Sequence, residues 1–291
     1  MFKKIPIVLL CCVLGYHLFA SPLEASKYVK QALILWYEKM IPALFPFMIL
    51  SGFCIRYDLC RYLMTPFYPL LNKIYKITPD MCAALLMGTL FGFPIGAKMC
   101  AELYQFGHIN RNQAQYLLSF TNNIGPIYMI SFALPLMQIP VRIGILIHIG
   151  VPLVYGIFLR HTFYKKYDFS SLLSKSQAVT YGLANALDES IYSACNAITK
   201  LGGYMIFFLL CRLIFPSGFM SLILEITSGL SSCSGQFNPA VLFGMLSLGG
   251  LSCMAQTYTV IQGTDLSMYQ YVIHKIIQSV LVTVMCCILH F

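Results

Sequence analysis

Long apolar stretches separated by short polar connections dominate the chain. Six of these stretches approach or exceed the roughly 20 apolar residues that cross a bilayer. They lie at about 5–21, 29–53, 113–137, 141–160, 192–213 and 268–290. The composition agrees, because 58% of the 291 residues are hydrophobic and 10% are charged, whereas soluble domains carry about 25% charged residues. The pattern therefore predicts an all-α polytopic protein of the cell membrane, in contact with the lipid bilayer.

Two further apolar segments, 81–106 and 238–262, are interrupted by glycine, proline and polar residues. An interrupted segment can lie at membrane depth only where protein or a water-filled cavity covers its free backbone groups. We therefore predict a re-entrant helical hairpin for each segment. Stretches 60–76 and 217–231 are expected to be connecting helices near the membrane interface.

Basic residues orient these elements, because cytoplasmic loops carry an excess of lysine and arginine. They cluster at 56–76 and at 160–175, and none occurs between Arg212 and Lys275. The predicted cytoplasmic segments are 54–80, 108–112 and 160–178, with 214–267 outside. Both chain termini are then cytoplasmic.

The N-terminus allows two interpretations. Lys3 and Lys4 precede an apolar run that ends at Ala20 and Ser21, which is the pattern of a secretory signal peptide. Leu18 is a poor match to the small residue expected before a cleavage site, and another span follows. We therefore favour a retained first membrane helix over a cleaved signal peptide.

The two halves of the chain are predicted to be inverted repeats. Hairpin 81–106 would open to the cytoplasm and hairpin 238–262 to the outside. Weak matches at an offset of 154 residues support the relation, for example Ala101 with Ala255. The predicted units are an N-terminal helix (1–26), repeat 1 with a connecting helix (27–160), a cytoplasmic loop (161–180) and repeat 2 (181–291). About six spans plus two hairpins in inverted repeats are typical of secondary transporters, which bind solute near the midplane.

Several motifs resemble one known family. The stretches FGFPIGAK (91–98), LLSFTNNIGPIYMI (117–130), LEITSGL (224–230) and GGLSCMAQ (249–256) are similar to the YlbJ-type sporulation integral membrane proteins. That family belongs to the broader nucleoside recognition, or Gate, domain group. The resemblance implies a multi-pass membrane protein of spore-forming bacteria that is needed for fully resistant spores. Relatives of the Gate domain include concentrative nucleoside transporters, but the resemblance supplies neither a solute nor enzyme chemistry.

The interruptions themselves are candidate site residues. Glycine permits positive φ and close backbone approach, and proline removes a hydrogen-bond donor. At a hairpin tip such residues leave backbone groups facing a cavity. The candidates are Gly92, Pro94 and Gly96 in the first segment and Ser247, Gly249 and Gly250 in the second. The alternative is that the glycines serve only tight helix packing.

Lys98 and Glu102 are four residues apart, so they share one helix face and can form an ion pair. Ionisable residues at membrane depth are rare and usually line cavities or pathways. Their counterparts at the repeat offset, Ser252 and Gln256, are uncharged, so a polar site would be asymmetric. An ion pair near the cytoplasmic interface is the alternative.

The most distinctive polar residues within the apolar runs are Thr121, Asn122 and Asn123. Asn122 lies about nine residues into its span, which is roughly 14 Å and close to the midplane. At a similar offset Asn123 corresponds to Gln278 in the last span. We expect the amides to face the tip at 92–96, with water or solute between them. The alternative is hydrogen bonding that only holds the bundle together.

Other functional classes find no support in the sequence. It contains no phosphate-binding loop, no H-E-x-x-H motif and no cysteine–histidine cluster with metal-ligand spacing. We interpret the twelve cysteines as small hydrophobic residues. We expect no enzyme activity, cofactor, metal or nucleic-acid partner. The prediction is a transporter or gate for a small polar solute, with a homo-oligomer left open; the alternative is a non-transporting scaffold for spore assembly.

Overall fold

The computed structural model describes residues 5–169 and 182–289, which are helical or in short connections. The basic pair at 3–4 and most of the loop predicted at 161–180 lie outside the described residues. The helices are α1 (Ile5–Ala20), α2 (Pro22–Ile34), α3 (Ile41–Arg56), α4 (Cys60–Met64), α5 (Tyr68–Tyr75), α6 (Pro79–Phe91), α7 (Ile95–Gln105), α8 (Arg111–Thr121), α9 (Pro126–Tyr128), α10 (Leu134–Leu136), α11 (Val141–His161), α12 (Leu183–Leu210), α13 (Gly218–Leu224), α14 (Ile226–Cys233), α15 (Pro239–Leu248), α16 (Gly250–Ile261) and α17 (Met268–Ile288). π-Helical turns at Leu35–Met40 and Met129–Ala133 join α2 to α3 and α9 to α10.

Six helical stretches of the described chain are long and apolar enough to cross a membrane. They are Pro22–Arg56, Arg111–Leu136, Val141–His161, Leu183–Leu213, Pro239–Ile261 and Met268–Ile288. The predicted all-α polytopic class is confirmed. Five predicted spans coincide with these stretches, whereas the span predicted at 5–21 is the 16-residue α1, which is shorter than a typical membrane crossing.

Polar residues cap the N-termini of three of the helices. Asn110 caps α8, where its side chain accepts from the backbone N–H of Gln113 and the Gln113 side chain accepts from the Asn110 N–H. Thr78 caps α6 and Ser267 caps α17 in the same way through their side-chain oxygens. These bonds satisfy backbone donors that have no partner inside the helix.

α6 and α7 form an antiparallel hairpin whose tip is at residues 92–94. A Cβ built on Gly88 would lie only 3.0 Å from Cα of Gly96, so the two helices are in backbone contact. At the open end, Asp80 Oδ1 lies 3.9 Å from Nδ1 of His108. This is the hairpin predicted at 81–106; its re-entry from the cytoplasmic side stays a prediction.

The segment predicted as the second hairpin, 238–262, is instead a span with a break in it. α15 and α16 follow one another in the same direction along α17. Ser279 donates to the carbonyl of Gly244 (2.7 Å), and nearer the start of α17 the hydroxyls of Thr257 and Tyr271 lie 3.5 Å apart. Gly249 therefore interrupts the helix without reversing the chain, and the hairpin prediction for this segment is wrong.

The second hairpin consists of α13 and α14, with Glu225 at its tip. A Cβ on Gly229 would lie 2.3 Å from Cα of Leu222, and one on Gly218 would lie 3.3 Å from Sγ of Cys233. Leu222 is fully buried. Residues 217–231 are predicted from the sequence to be a connecting helix near the membrane interface. The prediction is wrong, since the small residues allow the two helices to pack in the interior.

The order span, hairpin, broken span, span therefore occurs twice. It runs through α3, α6–α7, α8–α10 and α11, and again through α12, α13–α14, α15–α16 and α17. The closing helices α11 and α17 both have 21 residues and start 127 residues apart. The structural correspondence is thus near 127 residues in this part, rather than the predicted 154.

One ion pair corrects the predicted sides of the membrane. Arg111 Nε lies 2.9 Å from Asp265 Oδ2, so the loop at 262–267 is on the same face as 108–112. The prediction that places 214–267 entirely on the opposite face is wrong. If 108–112 is cytoplasmic, α17 begins in the cytoplasm and ends at the outer face, and the predicted cytoplasmic C-terminus conflicts with this arrangement.

Candidate functional site

The first hairpin tip meets both broken spans in the interior. Gly92 has φ +74° and a Cβ there would lie 2.3 Å from the backbone nitrogen of Gly125, which is in the break after α8. Gly249, with φ +91°, is at the other break, and its added Cβ would lie 3.5 Å from the ring of Phe93. Glycine is needed at both positions because of the positive φ. Three chain breaks therefore share one region.

The tip of the second hairpin reaches the same region. A Cβ on Gly250 would lie 3.0 Å from the carbonyl oxygen of Ile223. At the tip, the Glu225 carboxylate caps α14 by accepting from the backbone N–H groups of Thr227 (3.0 Å) and Ser228 (2.8 Å). All four interruptions of the helices thus converge.

Donors from three different elements satisfy the backbone carbonyls at the break after α8. Lys275 Nζ donates to the backbone carbonyl oxygen of Asn122 (3.3 Å). The backbone N–H of Phe93 donates to the backbone carbonyl oxygen of Asn123. His148 Nε2 lies 2.7 Å from the oxygen of residue 124. Because a carbonyl only accepts, this ring nitrogen carries the proton. The break therefore depends on the hairpin tip, α11 and α17.

The Asn122 side chain joins the same elements directly. Its Oδ1 accepts from the backbone N–H of Ala97 at the start of α7 (3.1 Å). Its Nδ2 donates to the hydroxyls of Thr257 (2.9 Å) and Tyr271 (3.1 Å). The amide faces the hairpin tip region, as expected. The bonds are direct in this arrangement, and water or solute between the amides and the tip stays a prediction.

Asn123 lines a small cavity beside this region. Its Oδ1 accepts from Lys275 Nζ (2.8 Å) and its Nδ2 donates to the carbonyl of Phe120 (2.7 Å). The cavity measures about 10 Å³ and is lined by Asn123, Thr89 and His148 with three apolar residues. Such a space holds about one water molecule, so a larger solute does not fit in this cavity.

The remaining predicted site residues lie around this centre. A Cβ on Gly96 would lie 2.9 Å from the Thr121 carbonyl oxygen, while the Thr121 hydroxyl bonds within its own helix. Gln278 Nε2 donates to the carbonyl of Ser119 (2.6 Å), and its Oε1 has no partner among the described residues. Gln256 bonds to Ser252 one turn earlier, Pro94 is buried at the tip, and Ser247 is buried in α15.

The predicted Lys98–Glu102 ion pair forms, with 2.9 Å between Nζ and Oε1. The same oxygen also accepts from Arg56 of α3 (3.3 Å) and from Ser193 of α12 (3.1 Å). The cluster is buried and points toward α3 and α12 rather than toward Asn122. Two cations share one carboxylate, so the cluster carries a formal charge of +1 when all three groups are ionised.

A second polar cluster lies at the open end of the first hairpin. One oxygen or nitrogen ligand atom from each of Asp58, Asp80 and His108 falls within 4.8 Å of the others, so the group could hold a metal ion by distance. Arg61 Nε lies 3.0 Å from the other oxygen of Asp80. The ion pair with Arg61 accounts for Oδ2 of Asp80, whereas Oδ1 of Asp58 and Oδ1 of Asp80 have no hydrogen-bond partner among the described residues.

Sequence reasoning missed the residues that complete the centre: Lys275, His148, Thr257, Tyr271 and Glu225. One signal was present, since an ionisable residue inside an apolar span usually has a functional partner, and Lys275 is the one lysine or arginine of the last apolar run. Its partners could not be read from the sequence, because Lys275 and Asn123 are 152 residues apart.

Comparisons with known proteins agree with the motifs. No family model matches the chain, and no solved structure matches it. The chain is 36% identical over 106 residues to the sporulation integral membrane protein YlbJ of Bacillus subtilis (strain 168). The aligned stretch covers 36% of this chain and 25% of the relative, so the chain matches about a quarter of that protein's length. Assignment to the Gate group stays a prediction. Over about a third of its length, this multi-pass membrane protein is similar to a YlbJ-type sporulation integral membrane protein.

Proposed function

We propose that the protein acts in sporulation as a membrane transporter or gate for a small polar solute, with the solute site where the four helix interruptions converge. The convergence is the observation that carries the proposal. Helix interruptions at membrane depth are costly unless protein or a water-filled space covers the backbone groups. Four of them in one place, contributed by two halves with the same order of elements, match the architecture of secondary transporters.

The hydrogen bonds of this region also supply a gating mechanism. In the closed arrangement, the tip at 92–94 bonds to Asn123 and the first turn of α7 bonds to Asn122. A polar solute that offers its own donors and acceptors replaces these bonds when the hairpin moves away. Because buried polar groups without partners are costly, the site opens at low cost only when a suitable solute is present.

A scaffold in spore assembly is the second candidate function, and one observation favours it. All hydrogen-bonding groups of the Asn122 amide are engaged apart from the second lone pair of its oxygen, and the adjoining cavity holds about one water. A scaffold needs only this closed packing. The two functions therefore differ in whether the region opens for a solute.

Solute binding tests the proposal. Purified protein is screened by thermal unfolding against nucleosides, amino acids and dicarboxylates, and a hit is then measured as uptake into liposomes. We expect at least one solute to raise Tm, and Asn122→Leu to abolish the shift. The matched control is Gln115→Leu, a buried amide of the same α8 that bonds only to the backbone of Ser267. No shift and no uptake with any solute class would favour the scaffold.

Cysteine labelling tests the inverted arrangement on which the proposal depends. In a background without the twelve native cysteines, single cysteines replace the exposed residues Lys165, Gln262 and Gln236. We expect 165 and 262 to react from the cytoplasmic face and 236 from the outside. Reaction of 236 from the same face as 262 would contradict the arrangement.

A further inference from the structure

Lys275 is a cation in the interior of the last span without an acidic partner. It lies in α17 with 1% of its surface exposed. Its ammonium donates to Asn123 Oδ1 (2.8 Å) and to the carbonyl oxygen of Asn122 (3.3 Å). Among residues 5–169 and 182–289, no carboxylate lies within ion-pair distance of it. A buried charge of this kind is costly unless other groups stabilise it.

The end of α8 supplies that stabilisation. α8 ends at Thr121, and Asn122 is the residue that follows it, so the carbonyl of Asn122 belongs to the negative end of the helix dipole. In transporters with broken helices, unwound backbone carbonyls and the C-terminal ends of half-helices coordinate the coupling sodium ion. In this chain an ammonium group lies against those oxygens.

We propose that Lys275 is a tethered cation that occupies a sodium-type site at the end of α8. The inference rests on the proposed function for its role in coupling: the ammonium holds the break after α8 closed, as a bound ion does elsewhere, and the protein needs no sodium. The position of His148 agrees. It is the residue of α11 that corresponds to Lys275 at the 127-residue offset, and it also donates to a carbonyl of this break.

Thermal unfolding of purified protein in sodium chloride or choline chloride at equal ionic strength tests the inference. No solute is present, so the result does not depend on whether the protein transports anything. Wild-type Tm should be the same in both salts. Lys275→Ala removes the ammonium and leaves space beside the two oxygens, so its Tm should rise with sodium concentration and saturate. Lys98→Ala is the control without a sodium response, because Arg56 still neutralises Glu102.

Three results would overturn the inference: a saturable sodium response of the wild type, no response of folded Lys275→Ala, or an equal response of Lys98→Ala. If Lys275→Ala does not fold, Lys275→Gln replaces it, because the amide keeps a donor for Asn123 but removes the charge. A saturable sodium response of Lys275→Gln supports the site, and its absence contradicts it. If neither variant folds in choline chloride, recovery of folded Lys275→Gln in sodium chloride supports the site, and failure to fold in both salts contradicts it, because sodium should replace the missing charge.

Discussion

Asn122→Leu should lower the free energy of unfolding by about 2 kcal/mol. The Asn122 amide makes three hydrogen bonds, to the N–H of Ala97 and the hydroxyls of Thr257 and Tyr271. Interhelical hydrogen bonds in membranes average about 0.6 kcal/mol and reach about 1.7 kcal/mol each, so three of them sum to about 2 kcal/mol. Leucine has a similar volume, which keeps the cavity contribution small. A single bond would be worth less than half of this.

The assay is reversible unfolding of purified protein in mixed micelles. Gln256→Leu is the matched control, because this buried amide bonds only to Ser252 of its own helix and should cost less than Asn122→Leu. A double-mutant cycle of Asn122→Leu with Tyr271→Phe should give a coupling of about 0.6 kcal/mol for one bond. If Asn122→Leu costs no more than Gln256→Leu, or the cycle shows no coupling, Asn122 does not hold the broken span to α7, α16 and α17.

Two further predictions follow from close packing and from buried charge. Gly96→Leu should prevent recovery of folded protein, because a Cβ at this position would lie 2.9 Å from the carbonyl oxygen of Thr121, whereas Gly203→Leu should be tolerated, since nothing lies within 4 Å of its Cβ; equal yields of monodisperse protein would contradict the close contact. Glu102→Leu should lower the free energy of unfolding by about 3–5 kcal/mol, because two buried cations lose their carboxylate. Asp265→Leu removes an exposed ion pair and should cost at most about 1 kcal/mol, so similar losses for the two variants would show that the buried cluster is not ionised.

The positions where helices break could be predicted from the sequence, but the path of the chain through each break could not. Gly92 and Gly249 were both recognised as interruptions, and both have positive φ. At Gly92 the chain reverses, because Gly88 and Gly96 allow α6 and α7 to touch. At Gly249 it continues, because α15 packs along α17 through contacts such as Gly244 with Ser279. Whether a glycine reverses the chain depends on partners that are distant in sequence.

Among the candidate polar residues, contacts within one helix could also be predicted from the sequence, but contacts between helices could not. Lys98 and Glu102 could be paired from their spacing, because residues four apart share a helix face. Arg56, which completes the cluster, is 46 residues from Glu102, and no local pattern connects them. Side-chain bonds across the bundle are therefore a property of the packed helices.

By itself, the sequence determined the membrane class and five of the six spans. These features depend on the number and order of apolar residues within one segment, and the bilayer acts on each segment separately. Only the tertiary structure decided that residues 218–233 form the second hairpin, that 108–112 and 262–267 share a face, and that Lys275 donates to the carbonyl at the end of α8. Each of these depends on which helices are neighbours, and that choice is made by close packing and by satisfying every buried polar group across the whole bundle.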